Sequence, residues 1–166
     1  KFRKYIYLDS GLLLRILDMD FGGANELTSL IITGAAEDLV NKGGLTELVL
    51  GCELVKYGSS RNRHDLYYWE SMVEGTTSEV DYIVAREMKV LPIECKAGTS
   101  GKMKSLRLFM RNKHITDAIR CSLENFSQLV YRDNKESGEW RRVTICPLYA
   151  VSNIILSNLS TFITSE

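Results

Sequence analysis

The stretch from Ser78 to Ala97, SEVDYIVAREMKVLPIECKA, constrains the chain more than any other. β-Branched and aromatic residues alternate with polar ones from Val80 to Ala85, and Val90 to Cys95 is apolar around Pro92, which predicts two strands. Arg86 to Lys89 fits a tight connection, so the runs are expected to pair as a hairpin. Asp81, near the middle of the first strand, should then face Glu94 near the end of the second. Period-2 geometry sets Glu94 and Lys96 on one face. Two carboxylates and an ammonium would converge among Val, Ile and Tyr, where burying charge costs free energy unless the groups pair or hold a cation. The same trio would equally serve as an ion-paired cluster at a sheet end.

A chain of 166 residues suits one domain with a small N-terminal appendage. Lys plus Arg balance Asp plus Glu at 21 each, so net charge announces no partner; a nucleic-acid contact would need a local basic patch. Cys52, Cys95, Cys121 and Cys146 are widely spaced, without the close Cys/His grouping zinc requires, and are expected to be buried thiols in a reducing compartment. No apolar run approaches a membrane-spanning length and no signal peptide is evident, which predicts a cytoplasmic protein without membrane contact.

Lys1 to Leu8 alternates enough to predict a short strand, followed by a turn or cap at Asp9-Ser10-Gly11 and an apolar helical stripe of Leu12, Leu13, Ile16 and Leu17. A helix is expected from Asn25 to about Val40. From Leu45 to Tyr57 a strongly apolar helix follows, with Thr46 and Glu53 close in angle as its solvent stripe. Glu47 falls elsewhere, beside Leu50, Gly51 and Leu54. An acid there, next to a glycine that permits close approach, is a site candidate; a helix-start glutamate favoured by the macrodipole is the alternative. Gly58 to Arg63 reads as a basic loop and His64 to Ser71 as a strand. After Lys96 a Gly/Ser loop leads into a helix from about Lys102 to Asn112, with Met103, Leu106 and Met110 on its core side and Lys104, Arg107 and Arg111 on another. Asp117 to Ser122 suggests a strand, Asp133 to Glu139 a polar loop or hairpin end, Arg142 to Ala150 another strand, and Val151 to Phe162 a closing helix. The order predicts an α/β (α+β) fold with a mixed central sheet flanked by helices.

Asp81 with Glu94-x-Lys96, preceded by a helical Glu47 and followed by a basic helix, resembles the PD-(D/E)xK nuclease superfamily, with Val80-Asp81 standing where proline-aspartate is usual. A narrower resemblance runs along nearly the whole chain. KFRKYIYLDSGLL, GGLTELVLGCEL, LYYWES, SEVDYIVA, LPIECKAG, KSLRLF and CPLYAV look like successive blocks of the domain of unknown function found C-terminal to the ATPase module in prokaryotic AAA+-type ATPases. The resemblance implies a restriction-endonuclease-like core over 41–166, a connecting segment over 1–40, and an ATPase module preceding it in the same polypeptide. The chain carries no GxxxxGK[ST] phosphate loop, so ATP would belong to that module alone.

The resemblance also implies a chemistry, the metal-dependent hydrolysis of DNA phosphodiesters. Asp81, Glu94, the backbone carbonyl of Cys95 and Glu47 would hold Mg²⁺ or Mn²⁺, whose preference is for oxygen ligands. Lys96 would orient the attacking water or help deprotonate it. Lys104, Arg107 and Arg111 would contact the DNA backbone without specifying sequence. Two other functions are open. One is a non-catalytic DNA- or protein-binding module that directs the ATPase; the other is a regulatory contact surface within an oligomer or complex.

Overall fold

Strand-period alternation sets up a sheet, and helical spacing supplies a cover for each of its faces. The computed structural model describes residues 4–9, 12–13, 42–56, 66–73, 76–86, 88–99, 101–133 and 138–157. Its elements run α1 (Lys42–Lys56), β1 (Tyr67–Val73), β2 (Thr76–Arg86), β3 (Lys89–Cys95), α2 (Lys104–Asn112), β4 (Asp117–Cys121), β5 (Ser127–Arg132), β6 (Trp140–Cys146), a 3₁₀ turn at Leu148–Ala150, and α3 (Val151–Leu156). The six strands form one sheet in the order β1-β2-β3-β4-β6-β5. Pairs β3/β4 and β4/β6 are parallel and the other three antiparallel, so the sheet is mixed and the α/β class stands.

Each face of the sheet has its own core. Leu50 and Leu54 of α1, with Val151 and Ile154 of α3, pack on Tyr82, Leu91, Ile93, Cys95, Ile119, Cys121 and Cys146. On the other face Leu106, Phe109 and Met110 of α2, preceded by Met103, pack on Val80, Ala118 and Val143. Residues at i, i+3 and i+4 of α2 form this stripe, as the helical spacing requires. Leu106 and Met110 are fully buried, and each side chain removed from water contributes about 2 kcal/mol. All four cysteines are free and buried.

Several elements differ from the sequence expectation for identifiable reasons. Residues 4–9 form no strand. They lie against α1 instead, where the Cys52 thiol donates to the Tyr7 carbonyl at 3.0 Å, and Leu12 N–H donates to Asp9 Oδ1 at 2.9 Å in the expected cap. Strand β5 was not expected: it is a six-residue edge strand with an exposed-to-intermediate pattern, too weakly alternating to register. The strand expected to reach Ala150 ends at Cys146, because Pro147 has no N–H to donate and the chain turns into a 3₁₀ helix. On α1 it is Val49 and Val55 that are exposed, at 39% and 41%, while the expected solvent residue Glu53 is half-buried and pairs with Lys56. The helix expected over 25–40, most of the one over 12–17, the loop over 58–63 and the end of the closing helix lie outside the described residues.

Arg141 on β6 is 1% exposed, yet every part of its guanidinium is used. Nη1 donates to the carbonyls of Met110, at 2.8 Å, and Ile115, satisfying backbone at the end of α2. Nε donates to Asp133 and Nη2 to Glu139, each at 3.2 Å. Arg141→Met is expected to destabilise the fold by about 2–4 kcal/mol in equilibrium denaturation, because it strands buried carbonyls and removes one partner of a buried carboxylate. A change within experimental error would show that the network contributes nothing net.

Candidate functional site

A break in the β1/β2 ladder positions the acidic residues. Tyr67 pairs with Ile83 and Trp69 with Val80, so β1 spends one residue, Tyr68, where β2 spends two, Asp81 and Tyr82. This is a β-bulge, which re-aims side chains that regular alternation would send elsewhere. Its effect is visible in the two cores: Val80 and Ile83 belong to the α2 face, whereas Tyr82 and Val84 belong to the α1 face. Residue 81 therefore joins Tyr82 on the α1 side. In an uninterrupted ladder it would have followed its cross-strand neighbour Glu94 to the α2 side.

On the α1 side, oxygens of Glu47, Glu79 and Asp81 lie within 4.8 Å of one another. Glu47 comes from the first turns of α1, and Glu79 and Asp81 from β2. Glu47 and Glu79 line a cavity of about 360 Å³ with Lys4, Gly44 and Tyr82. The Tyr82 hydroxyl donates to the Glu47 carbonyl at 2.9 Å and fixes α1 against the strand. Gly51 makes room for that ring: a Cβ there would collide with the hydroxyl and sit 3.0 Å from Cζ. Asp81 Oδ2 accepts the Cys95 N–H at 2.7 Å, so a side chain takes a ladder position. Burial pushes the Asp81 carboxyl up to about 6; the Cys95 hydrogen bond opposes the rise, and the negative charges of Glu94 and Glu47 add to it. The Cys95 thiol is pushed up to about 12, first by burial and then by Asp81 and Glu47, so it is an inert core group.

Lys4 is the cation already present. Its Nζ donates to Glu47 Oε1 at 2.7 Å, pairs with Glu79, and stands 5.2 Å from the centroid of the Tyr68 ring. Burial lowers its pKa, but the hydrogen bonds to Glu47 and Glu79 overcome that and leave it raised.

Glu94 leaves its strand on the other face, although its charge and those of Asp81 and Glu79 still act on one another. Its neighbours Ile93 and Cys95 belong to the α1 face, so Glu94 alternates to the α2 face, where its register partner is Arg120. Both are 5% exposed. Glu94 Oε1 pairs with Lys96 Nζ, while Glu94 Oε2 and Arg120 Nε are buried without a hydrogen-bond partner. Arg120 donates to the carbonyls of Thr99 and Gly101, both at 3.3 Å, and ties down the loop after Lys96. Burial raises the Glu94 pKa against the pull of Lys96 and Arg120. For Lys96, burial lowers and the Glu94 hydrogen bond raises, with a net rise. The expected convergence of Asp81, Glu94 and Lys96 on one face is thus divided: Glu94 and Lys96 form an ion pair, and Asp81 joins Glu47 and Glu79.

The basic stripe is divided too. Lys104 and Arg107 are exposed on α2, with the Arg107 guanidinium 4.7 Å from the Tyr131 ring centroid. Arg111 donates to both oxygens of Asp133, at 3.3 and 3.0 Å, and is engaged in the structural network around Arg141. Glu79 was missed from sequence. The available signal was the Glu79-Val80-Asp81 spacing, which shares a strand face, together with a lysine near the start of the chain.

These features define a class: a mixed six-stranded α/β domain with a carboxylate cluster where a helix meets a bulged strand. A family model described as Domain of unknown function (DUF4143) matches residues 42–151, which cover α1 through the start of α3, and the chain belongs to that family. Domains of this family are commonly C-terminal to AAA ATPases. No curated protein and no solved structure matches the chain. Among the described residues, no helix is long and apolar enough to cross a membrane.

Two outcomes follow from the local geometry. Gly51→Ala is expected to cost about 1–3 kcal/mol despite its better helix propensity, because the new methyl displaces the Tyr82 ring. Adding Tyr82→Phe should recover part of that loss in a double-mutant cycle; an additive result would contradict the contact. For Asp81, the folded pKa of about 6 lies above the ordinary 3.8. The stability it contributes is therefore full below about pH 4 and is lost as pH rises through 6. Asp81→Asn, which keeps an acceptor for Cys95, should stabilise the metal-free protein at pH 7 by about 1–2 kcal/mol after solvent screening, with the gain vanishing toward pH 4. Denaturant titrations at the two pH values check the sign; a gain that does not depend on pH would contradict it.

Proposed function

We propose that Glu47, Glu79 and Asp81 form a divalent-cation site in a nuclease-like domain that hydrolyses DNA phosphodiesters, under control of an ATPase module in the same polypeptide. The observation that carries this reading is the meeting of three carboxylate oxygens within 4.8 Å on elements anchored in the core. An all-oxygen donor set of high negative charge suits Mg²⁺ or Mn²⁺ better than a soft metal. Burial first, and then the charges of Glu94 and Glu47, raise the Asp81 carboxyl to about 6, and a bound cation would offset both. A bound cation would supply charge neutralisation at a phosphate oxygen and an acidified water. Lys96 remains an ammonium because its pKa is raised, so its role is to offset negative charge rather than to abstract a proton.

Glu94 favours a second reading. It faces α2 and is paired with Lys96, and the exposed cations Lys104 and Arg107 belong to that same side of the sheet, away from the carboxylate group. A non-catalytic module that binds DNA or protein through α2 and directs the ATPase would use this surface.

Calorimetric titration of Mn²⁺ into the chain and into Asp81→Ala separates the two. On the metal-site reading the intact chain binds Mn²⁺, folded Asp81→Ala does not, and Lys96→Ala lowers metal-dependent DNA cleavage at least ~100-fold. No binding by the intact chain or by Lys4→Met, or equal binding by Asp81→Ala, contradicts it. The binding-module reading instead expects Lys104→Ala and Arg107→Ala to weaken a salt-dependent DNA association in which Asp81→Ala has no effect.

A further inference from the structure

We infer that Lys4 is a built-in cation plug of the carboxylate group, so that access of a divalent cation is governed by the docking of residues 4–8 on α1. The inference rests on the metal-site reading and adds its regulation. The Lys4 ammonium bridges Glu47 and Glu79, two of the three carboxylates that converge, and thereby occupies oxygens a metal ion would need. A lysine at this place neutralises part of the cluster in the absence of metal, and its ammonium stands over the Tyr68 ring opposite the β2 bulge. The ammonium is strongly held, because removing it would leave three carboxylates with mutual repulsion in a half-buried setting.

The segment that carries Lys4 is lightly fastened by comparison. Ile6 packs against the α1-side core and meets Gly51, and the Tyr7 carbonyl accepts the Cys52 thiol at 3.0 Å. Tyr5, Tyr7 and Leu8 are 83%, 51% and 75% exposed. Among the described residues, one partly buried side chain, one thiol hydrogen bond and the Lys4 pairs hold the strap, and elements with few buried contacts open at low free-energy cost. Docked, the strap presents its own cation to Glu47 and Glu79. Undocked, it leaves a cluster that needs one from solution. The two states have opposite affinity for a divalent ion, which is the condition for a ligand or an attached module to shift one toward the other. Had Lys4 served only to hold the ligands in place, its removal would weaken metal binding instead.

The test is Mn²⁺ titration into the wild-type chain, Lys4→Met and Lys4→Arg. Lys4→Met keeps an unbranched apolar stem but removes the charge, and should bind Mn²⁺ at least ~10-fold more tightly. Lys4→Arg keeps a cation and should bind like the wild type. In the wild-type chain, saturating Mn²⁺ should speed amide hydrogen exchange over residues 4–8 as the strap is released; if Lys4→Met does not fold, this result alone decides. Equal or weaker binding by Lys4→Met, or slower exchange over 4–8, overturns the plug while leaving the metal site intact. Mn²⁺ binding by none of the three proteins removes the metal-site reading and the plug with it.

Discussion

One irregularity in one strand organises the site. Where Tyr68 of β1 meets both Asp81 and Tyr82 of β2, the alternation of β2 changes phase. The change lets Val80 reach the α2 core and Tyr82 the α1 core from the same strand. It also turns Asp81 toward α1, where Glu47 stands. The hydroxyl of Tyr82, seated over Gly51 and bonded to the Glu47 carbonyl, sets the distance between helix and strand. Without the bulge the sheet would still form, but Asp81 and its neighbour Tyr82 could not both face α1, and that side would lose either the Glu79 and Asp81 pair or the Tyr82 anchor.

Charge is then arranged in two compartments on either side of the sheet. On one side Lys4 partly neutralises three carboxylates; on the other, Glu94 and Arg120 lie side by side on adjacent parallel strands, with Lys96 and the 99–101 carbonyls as partners. Each compartment is incompletely satisfied. Asp81 responds by holding its proton to higher pH, and Glu94 and Arg120 by leaving one atom each unpartnered. Buried polar groups in such a state destabilise the fold, and proteins tolerate them chiefly where they have work to do. That cost, borne next to a cavity and a lightly fastened strap, is the physical basis of the metal-site and plug proposals.

The hairpin and helices α1 and α2 were legible because their apolar spacing repeats over whole elements, which local disturbances do not erase. Glu47 was legible for the same reason: an acid out of angle with the solvent stripe and next to a glycine stands out against a regular helix. That Glu79 and Asp81 share a face is plain in their spacing, but which face it is was not legible, since a bulge without glycine or proline leaves no local mark in EVDYIV. A phase error of one residue was enough to set Asp81 on the face of Glu94 instead of on the α1 face with Glu47. Lys4 and Arg141 escaped notice because their partners are distant in the chain; the pair Lys4 to Glu47 closes across 43 residues. Strand β5 was lost to its position at a sheet edge, where one face carries little apolar signal.

The most direct test of the account is to locate a cation in space. In crystals grown with Mn²⁺, an anomalous difference map should show a peak among the Glu47, Glu79 and Asp81 carboxylates, with the Lys4 ammonium displaced from Glu47 and Glu79. A peak beside Glu94 on the α2 face, or Lys4 still bridging Glu47 and Glu79 with no peak in the group, would contradict it.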